Sequence, residues 1–399
     1  MIQVTEALAT IDREAPLLDV EVIDLGASTG RILAEPVVAD RDMPPFHRAQ
    51  MDGFAIRSVD CETIPAVLKV IGESVAGKRF DGRVDSGTAV RIMTGAPVPV
   101  GADHVIPIED VIACDDFISI PAFNPGASNV VRRGEEIQRG IAVFREGQRI
   151  TSHMIATLAS FGYDEVAVRK SPRIAVISTG KELVAVGEMP GDDQIRDSNS
   201  SMLLALCREF GFEVELLPRL EDDFESICAG LTSALGSEFD VVITTGGVSV
   251  GDYDHTKPAI RSIGADVVFD KLDLKPGKPT VFARHGERLI FGLPGNPVSV
   301  GVTFHLFVRH ALLRMQGATE CGLRSGFAIT RRMLKAAKGR DTFLPVSLAT
   351  DMTGTLHIES VRFSGSSNFI AFAAAEAVAV IPKGRDIEEG EAVEIRFLR

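Results

Sequence analysis

The sequence lacks most features of membrane, secreted and nucleic-acid-binding proteins. Its 399 residues include no tryptophan and only two tyrosines. No apolar run reaches the roughly 18 residues that a membrane helix needs. The N-terminal segment MIQVTEALATIDREAP alternates apolar and charged residues and has no apolar core of the signal-peptide kind. We therefore expect a cytoplasmic protein with no membrane association.

Disulfides, zinc and nucleic acid are also disfavoured. No C-x-x-C pair occurs, and the cysteines are scattered and odd in number, at Cys61, Cys114, Cys207, Cys228 and Cys321. This spacing argues against a disulfide framework and against a zinc site. The net charge of −13 and the scarcity of aromatic rings argue against nucleic acid as a partner. An anionic ligand would need local donors that overcome the negative charge of the whole chain.

The chain divides into regions that differ in the pattern of their apolar and turn-forming residues. Residues 40–140 consist of short alternating apolar runs separated by glycine and proline, which predicts a small β domain. Residues 171–320 alternate strand and helix patterns, which predicts a central α/β domain with a doubly wound, mostly parallel sheet. Residues 323–399 return to short, evenly spaced strands, which predicts a C-terminal β domain of the barrel or sandwich type.

Local sequence signals predict several helices and where they begin or end. The pattern predicts a short helix over residues 30–35, and Asp222 is placed to cap a helix that ends near Leu235. Pro297 suits the first position of a helix that runs to about Met315, with one apolar face directed to the core. One near-match misleads: GESVAGKR (72–79) resembles a phosphate loop, but Arg79 stands where the metal-binding hydroxyl belongs.

Three loops follow predicted strands of the central domain. They are STGKEL (178–183), TTGGVSVGDYD (244–254) and GLPGNPVS (292–299). The carboxyl ends of parallel strands are where open α/β sheets bind ligands, so we expect the loops to meet at one edge. Gly246 and Gly247 would offer backbone N–H groups there, and the helix starting at Pro297 would favour an anion. Ordinary βα turns explain the glycines alone equally well.

Charged groups near these loops suggest an oxyanion and a metal ion. In KPGKP, a Pro-Gly turn between Lys275 and Lys278 can direct both ammonium groups at phosphate or molybdate. A solvated surface loop is the plain alternative. Mg²⁺ is commonly held by one or two carboxylates together with substrate phosphates. Candidate carboxylates lie near turns or helix starts, at Asp52, Glu136, Glu182, Asp222, Asp223 and Asp254.

These motifs occur in a particular order along the chain. The series runs PPFHRAQMDGFA (44–55), RIMTGAPVP (91–99), RRGEEI (132–137), STGKEL, RDSN (196–199), TTGGVSVGDYD, KPGKP and GLPGNPVS. In this combination the sequence resembles the molybdopterin molybdenumtransferase family, which includes bacterial MoeA and the gephyrin E-domain. The resemblance spans nearly the whole chain.

The resemblance implies a fold, a reaction and partners. Within the N-terminal region 1–170, it implies a discontinuous domain of residues 21–39 and 141–170, and a helix in 1–20 that packs on the central domain. The implied reaction is Mg²⁺-dependent hydrolysis of adenylyl-molybdopterin, with insertion of molybdate into the dithiolene and release of AMP. The implied assembly is a homodimer, with a molybdopterin adenylyltransferase and recipient molybdoenzymes as protein partners.

The resemblance also assigns residues by position. The implied catalytic set is Asp52, Thr94, Glu136, Glu182, Asp222 and Asp223. The implied substrate-binding set is Thr245, Gly246, Gly247, Ser249, Lys275, Lys278, Pro294, Gly295, Asn296, Pro297, Arg340 and Ser366. The implied metal ligands are Asp254 and Glu182.

Some positions depart from the family pattern. Glu136 replaces the usual aspartate, Pro345 stands where an arginine is common, and Asn368 takes the place of a histidine. These departures leave room for a specialised paralogue. Two other functions stay open, a molybdopterin adenylyltransferase-like enzyme, which shares the central fold, and a scaffold or paralogue that binds protein partners. The choice between molybdate and tungstate also stays open.

Overall fold

The computed structural model describes residues 1–247, 255–360 and 368–398. These residues form two units. The larger comprises Met1–Glu35, Glu146–Ser152 and the chain from Glu165 onward; the smaller comprises Pro36–Arg145 and His153–Asp164. No helix in the described ranges is long and apolar enough to cross a membrane.

A six-stranded sheet lies at the centre of the larger unit. Its strands, in spatial order, are Glu213–Leu216, Arg173–Ser178, Val241–Thr245, Arg288–Leu293, Val281–His285 and Asp266–Phe269. The first four are parallel, and Val281–His285 runs antiparallel to both of its neighbours. Every residue of Val241–Thr245 is buried, as a strand covered on both faces requires. The predicted doubly wound, mostly parallel sheet is confirmed.

Helices cover both faces of this central sheet. The helices of the unit are Val4–Glu14, Ser198–Glu209, Phe224–Gly236, Thr256–Ser262, Pro297–Thr303, Arg309–Met315 and Phe369–Phe372, with a π-helical turn at Phe304–Val308. Successive strand residues point to opposite faces, so Val241 and Ile243 join one hydrophobic core and Val242 joins the other. Ala7 and Ile11 of the N-terminal helix are buried in the first of these cores.

The helical segment that starts at Pro297 is more deeply buried than its one-face pattern predicts. Side chains on all sides of it are buried, including Val298, Val302, Phe304 and Leu312. The same core contains Phe343, Val378 and Leu398 from the C-terminal region. Several elements enclose the segment, so almost none of its side chains is exposed to solvent.

The C-terminal strands close into a barrel. Five strands form the ring, Ser325–Thr330, Asp341–Thr350, Leu356–Ser360, Ala377–Ile381 and Ala392–Phe397. The ring closes because Asp341–Thr350 pairs with both Leu356–Ser360 and Ala377–Ile381. A two-residue strand, Leu274–Lys275, joins this barrel by pairing with Asp341 and Thr342. The predicted barrel-like C-terminal domain is confirmed.

The remaining described strands have two to five residues each, except Ala66–Ser74, which has nine. Val20–Asp24 pairs with Glu165–Arg169, and Leu183–Val184 pairs with Ile195–Arg196. In the smaller unit, a sheet has the order His104–Pro107, Gly53–Ile56, Thr88–Ile92, Ala66–Ser74, Phe117–Ile120, Ile112–Cys114. The smaller unit also holds the paired strands Arg48–Ala49 and Val130–Val131, the paired strands Val37–Val38 and Ala142–Phe144, and most of the helix Ser152–Ser160. The predicted N-terminal β region is confirmed.

The helix predicted over residues 30–35 is absent. Residue Gly30 has φ of +85°, outside the helical region. The N–H of Gly30 donates to the Ile150 carbonyl, and that of Leu33 donates to the Gln148 carbonyl. Pairing with a distant segment has replaced the local helix, which the pattern of a six-residue stretch cannot reveal.

Truncation of a ring in the central sheet should weaken the larger unit. Phe291 is fully buried and packs against Phe282, with ring centroids 5.0 Å apart. We expect Phe291→Ala to lower the midpoint of denaturant unfolding, because it removes about 3–5 kcal/mol of burial and leaves a cavity. Phe327→Ala is the matched control, since Phe327 is 71% exposed. Equal midpoints for the two variants would contradict this packing.

Candidate active site

Three strand ends of the central sheet meet at one edge. The register aligns Ser178 with Thr245 and Thr245 with Leu293, so the loops that follow begin side by side. A cavity of about 770 Å³ opens there. This strand-end cavity is lined by Thr179, Glu182, Leu183, Val186, Pro190, Gln194, Ile195, Arg196, Asp197, Ser198, Asn199, Ser201, Thr245, Gly246, Gly295, Asn296, Pro297 and Phe369. The structure therefore brings together residues from all three predicted loops.

Glycine is required where the central strand ends. Gly246 and Gly247 have φ of +97° and +64°. A Cβ on Gly246 would lie 2.3 Å from the Thr179 carbonyl oxygen, and one on Gly247 would lie 2.5 Å from Thr256 Oγ1. The Gly246 N–H donates to the Leu293 carbonyl at 3.3 Å. That N–H was predicted to be a bare phosphate donor, whereas the structure uses it within the sheet.

Two polar side chains at this edge have unused hydrogen-bonding capacity. Asn199 Nδ2 donates to the Gly295 carbonyl at 2.8 Å and to Thr245 Oγ1 at 3.1 Å, which joins two of the loops. Asn199 Oδ1 and Thr179 Oγ1 are buried without a hydrogen-bond partner among the described residues. Buried polar atoms without partners are rare, so each calls for an explanation such as a ligand, an ion or a water molecule. The sequence reasoning named neither residue as a site residue, although Asn199 belongs to the RDSN motif.

The neighbouring aspartates 222 and 223 have different roles. Asp223, and not Asp222 as predicted, caps the helix Phe224–Gly236. Its Oδ1 accepts from the Ser226 N–H at 2.9 Å and its Oδ2 accepts from Ser226 Oγ at 2.8 Å. These bonds, with the backbone one first, hold the pKa of Asp223 below its usual value. The prediction failed by one residue because either aspartate satisfies the sequence rule for a cap.

Asp222 does not cap this helix. Its Oδ1 is buried and has no partner within the described ranges. This oxygen, Thr179 Oγ1 and Thr256 Oγ1 all face Gly247, at 3.4, 3.2 and 2.5 Å from where a Cβ on that residue would lie. Glu182 faces Gly180, with both carboxylate oxygens within 2.9 Å of where a Cβ on that glycine would lie.

A second cavity, of about 520 Å³, contains the predicted lysine pair. This lysine cavity is lined by Lys275, Pro276, Gly277, Lys278, Pro279, Pro294, Asn296, Ser299, Lys335, Arg340, Thr342, Phe343, Leu344 and Ile381. Four of these described lining residues are cationic and none is a carboxylate. Thr342 Oγ1 is buried without a partner in the described part of the chain. Asn296 lines both cavities, so they adjoin.

Lys335 and Thr342 were missed by the sequence reasoning. Both belong to the barrel, about sixty residues after the lysine pair. The pairing of Leu274–Lys275 with the barrel strand brings this part of the chain to the lysine cavity. A sequence pattern carries no signal for this long-range contact.

Three predicted residues lie in the smaller unit. The N–H and Oγ1 of Thr94 both donate to Asp52 Oδ1, at 2.6 and 2.7 Å. These bonds, the hydroxyl first, lower the pKa of Asp52. Glu136 forms an ion pair with Arg48 at 3.2 Å.

Two of the residues that depart from the family pattern lie in the C-terminal region. Pro345 lies in a barrel strand opposite Val378, and Asn368 caps the helix Phe369–Phe372 through a bond from the Ala371 N–H. No group of three or more histidine, cysteine, aspartate or glutamate residues suited to a metal occurs among the described residues. The predicted residues Ser249, Asp254 and Ser366 lie outside the described residues.

Known proteins and protein families match this chain along nearly its whole length. The family descriptions that match are "MoeA N-terminal region (domain I and II)" over residues 2–162, "Probable molybdopterin binding domain" over 175–314 and "MoeA C-terminal region (domain IV)" over 328–398. Molybdopterin molybdenumtransferase from Staphylococcus aureus strain Mu50 is 36% identical over 399 residues, covering 99% of this chain and 95% of the relative.

Further relatives agree. The enzyme of the same name from Staphylococcus epidermidis strain RP62A is 35% identical with the same coverage. The crystal structure of the molybdopterin biosynthesis MoeA protein from Pyrococcus horikoshii OT3 is similar with a TM-score of 0.85, 31% identity and full coverage of both chains. The resemblance inferred from the ordered motifs is confirmed. The chain belongs to the molybdopterin molybdenumtransferase (MoeA) family of molybdenum cofactor biosynthesis.

Proposed function

We propose that this family member hydrolyses adenylyl-molybdopterin and inserts molybdate into the dithiolene. Water cleaves the pyrophosphate link, which yields AMP and molybdopterin; the two dithiolene sulfurs then bind the molybdenum of molybdate, and one oxygen leaves with the two thiol protons as water. The observation that carries the proposal is the pair of adjoining cavities. One has polar groups at strand ends, and the other collects four cationic side chains without a lining carboxylate among the described residues.

The lysine cavity suits molybdate as a substrate. Lys275, Lys278 and Lys335 supply compact positive charges, and Arg340 supplies a guanidinium. A tetrahedral dianion in that cavity would relieve the mutual repulsion of these groups. The buried hydroxyl of Thr342 offers a further donor. Charge-assisted bonds of this kind are about twice as strong as neutral ones.

The strand-end cavity suits the phosphorylated pterin substrate. Its volume of about 770 Å³ is within the usual range for cofactor sites. Thr179, Asn199 and Thr245 provide hydroxyl and amide groups at fixed positions on the sheet edge. Because the two cavities adjoin at Asn296, a molecule in one would present its reactive end to an anion in the other. Catalysis would then depend on positioning and charge stabilisation.

Magnesium fits the residues near Asp222. That carboxylate has a buried oxygen with no partner among the described residues, and the hydroxyls of Thr179 and Thr256 face the same glycine, Gly247. Mg²⁺ commonly takes one or two protein carboxylates and completes its shell with phosphates and water. We assign Asp222 and Glu182 to this role, with Asp254 as a further predicted ligand. When bound, the ion would neutralise phosphate charge during hydrolysis.

The cellular setting follows from the same assignment. We propose a cytoplasmic homodimer that receives adenylyl-molybdopterin from an adenylyltransferase and supplies recipient molybdoenzymes. Asp52, Thr94 and Glu136 remain proposed catalytic residues. Membership of the family supports these proposals.

The reaction can be tested directly. Purified protein is mixed with adenylyl-molybdopterin, Mg²⁺ and molybdate, and AMP is quantified by chromatography. We expect AMP release that requires both ions, together with cofactor that reconstitutes an apo-molybdoenzyme. Absence of AMP release would disprove the proposal, and ATP-dependent adenylylation of molybdopterin would indicate an adenylyltransferase instead.

Adjacent aspartates provide a matched test of the magnesium assignment. Asp222→Asn should reduce kcat by about 100-fold, the loss expected when several kcal/mol of charge stabilisation disappears. Asp223→Asn should leave kcat close to that of the wild type, because asparagine caps a helix as well as aspartate does. The Mg²⁺ concentration for half-maximal rate should rise only in the first variant. If both variants lost activity equally, the assignment to Asp222 would be wrong.

The lysine pair can be tested against a lysine of the same charge outside the cavity. Removing one charge-assisted contact costs about 1.5–3 kcal/mol, so Lys278→Met should raise the KM for molybdate roughly tenfold or more. Lys338 is exposed and does not line the lysine cavity. We therefore expect Lys338→Met to leave that KM unchanged. A similar rise in both variants would reveal a general charge effect.

A further inference from the structure

A buried carboxylate lies immediately before the lysine loop. Asp273 is 4% exposed and precedes the short strand Leu274–Lys275. Its Oδ2 accepts a hydrogen bond from Gln3 Nε2 at 2.6 Å and another from Lys383 Nζ at 2.7 Å. The function proposed above gives this residue no role.

Asp273 joins three segments that are distant in sequence. Its own N–H donates to the Ile2 carbonyl at 2.8 Å, so the N-terminal segment is bound by both backbone and side chain. Lys383 belongs to the turn that follows the barrel strand Ala377–Ile381. The Lys383 N–H also donates to Asp341 Oδ1 at 2.9 Å, which ties this turn to the start of a second barrel strand.

That second barrel strand carries groups of the lysine cavity. Its register places Asp341 beside Leu274 and Thr342 beside Lys275. Arg340, just before it, donates from Nη1 to the Leu274 carbonyl at 3.4 Å. Asp273 therefore immediately precedes the two residues, Leu274 and Lys275, that pair with the barrel strand.

The charge of Asp273 also bears on the cavity. The hydrogen bond from Lys383, followed by that from Gln3, lowers the pKa of Asp273, and the charge of Arg340 adds to this effect. The carboxyl group is thus ionised at neutral pH. Four cations line the lysine cavity and repel one another, and the Asp273 carboxylate attracts one of them, Arg340.

We infer that Asp273 is a positioning residue for the oxyanion site. Through Lys383 and Gln3 it holds the barrel strand that carries Arg340 and Thr342 against the loop that carries Lys275. The lysine cavity is thereby preassembled for a tetrahedral dianion before the substrate arrives. This inference rests on the proposed role of the lysine cavity in binding molybdate.

The main test uses Asp273→Asn in the full-length protein. Asparagine keeps the shape of the side chain and removes its charge. We expect molybdate binding, measured by calorimetry, to weaken about tenfold or more, as when a residue that orients a ligand-binding group is replaced. The KM for molybdate should rise accordingly, while the KM for adenylyl-molybdopterin stays constant. Asp351→Asn is the control, because Asp351 binds Thr353 and His357 elsewhere in the barrel.

A second pair of variants separates positioning from stability alone. Lys383→Met leaves Asp273 buried with one partner fewer, so it should lower the thermal unfolding midpoint. The double variant Asp273→Asn with Lys383→Met removes both charges and should regain much of that stability. If Asp273 positions the barrel strand, molybdate binding should remain weak in the double variant although the fold has recovered.

Each outcome bears on the inference. Wild-type affinity in Asp273→Asn would overturn it, and so would affinity that recovers in step with the unfolding midpoint. A uniform change in both KM values would also overturn it, because the effect would then extend beyond the anion. If the wild-type protein itself fails to bind molybdate, the proposed function of the lysine cavity fails first, and the variants are not needed to detect that.

Discussion

The functional region depends on three parallel strands that end in register. Ser178, Thr245 and Leu293 are neighbours across the sheet, so the chain must leave all three strands at one edge. The space there is so limited that a Cβ on Gly246 would meet the Thr179 carbonyl at 2.3 Å. This close approach makes the glycines obligatory, and it directs polar side chains into the same small volume. The strand-end cavity therefore results from the register of the sheet.

The barrel contributes through a second backbone contact. A strand of only two residues, Leu274–Lys275, leaves the central domain and pairs with the barrel strand Asp341–Thr350. Without that pairing, the lysines would be an exposed turn, which is the plain reading of KPGKP. With it, Lys335, Arg340 and Thr342 line the same cavity as the lysines. The cavity is therefore a product of long-range register.

The difference between local and long-range information explains what the sequence could predict. Hydrophobic runs and strand-helix alternation were sufficient for the parallel sheet and the barrel, because both patterns are written in consecutive residues. The ordered motifs identified the family. The cap at Asp223 was placed one residue early, because two adjacent aspartates satisfy the same local rule. Asp273 was missed entirely, since its partners Gln3 and Lys383 are more than one hundred residues away in either direction.

The buried helical segment that begins at Pro297 contributes residues to both cavities. Pro297 begins it at the rim of the strand-end cavity, and Ser299 in its first turn lines the lysine cavity. Its side chains pack in one core with the sheet residue Phe291 and the barrel residues Phe343 and Val378. Interiors packed at this density resist deformation, so a shift of the barrel cannot be absorbed locally. In the proposed function, this shared core would set the distance between the anion in the lysine cavity and the pterin substrate in the strand-end cavity.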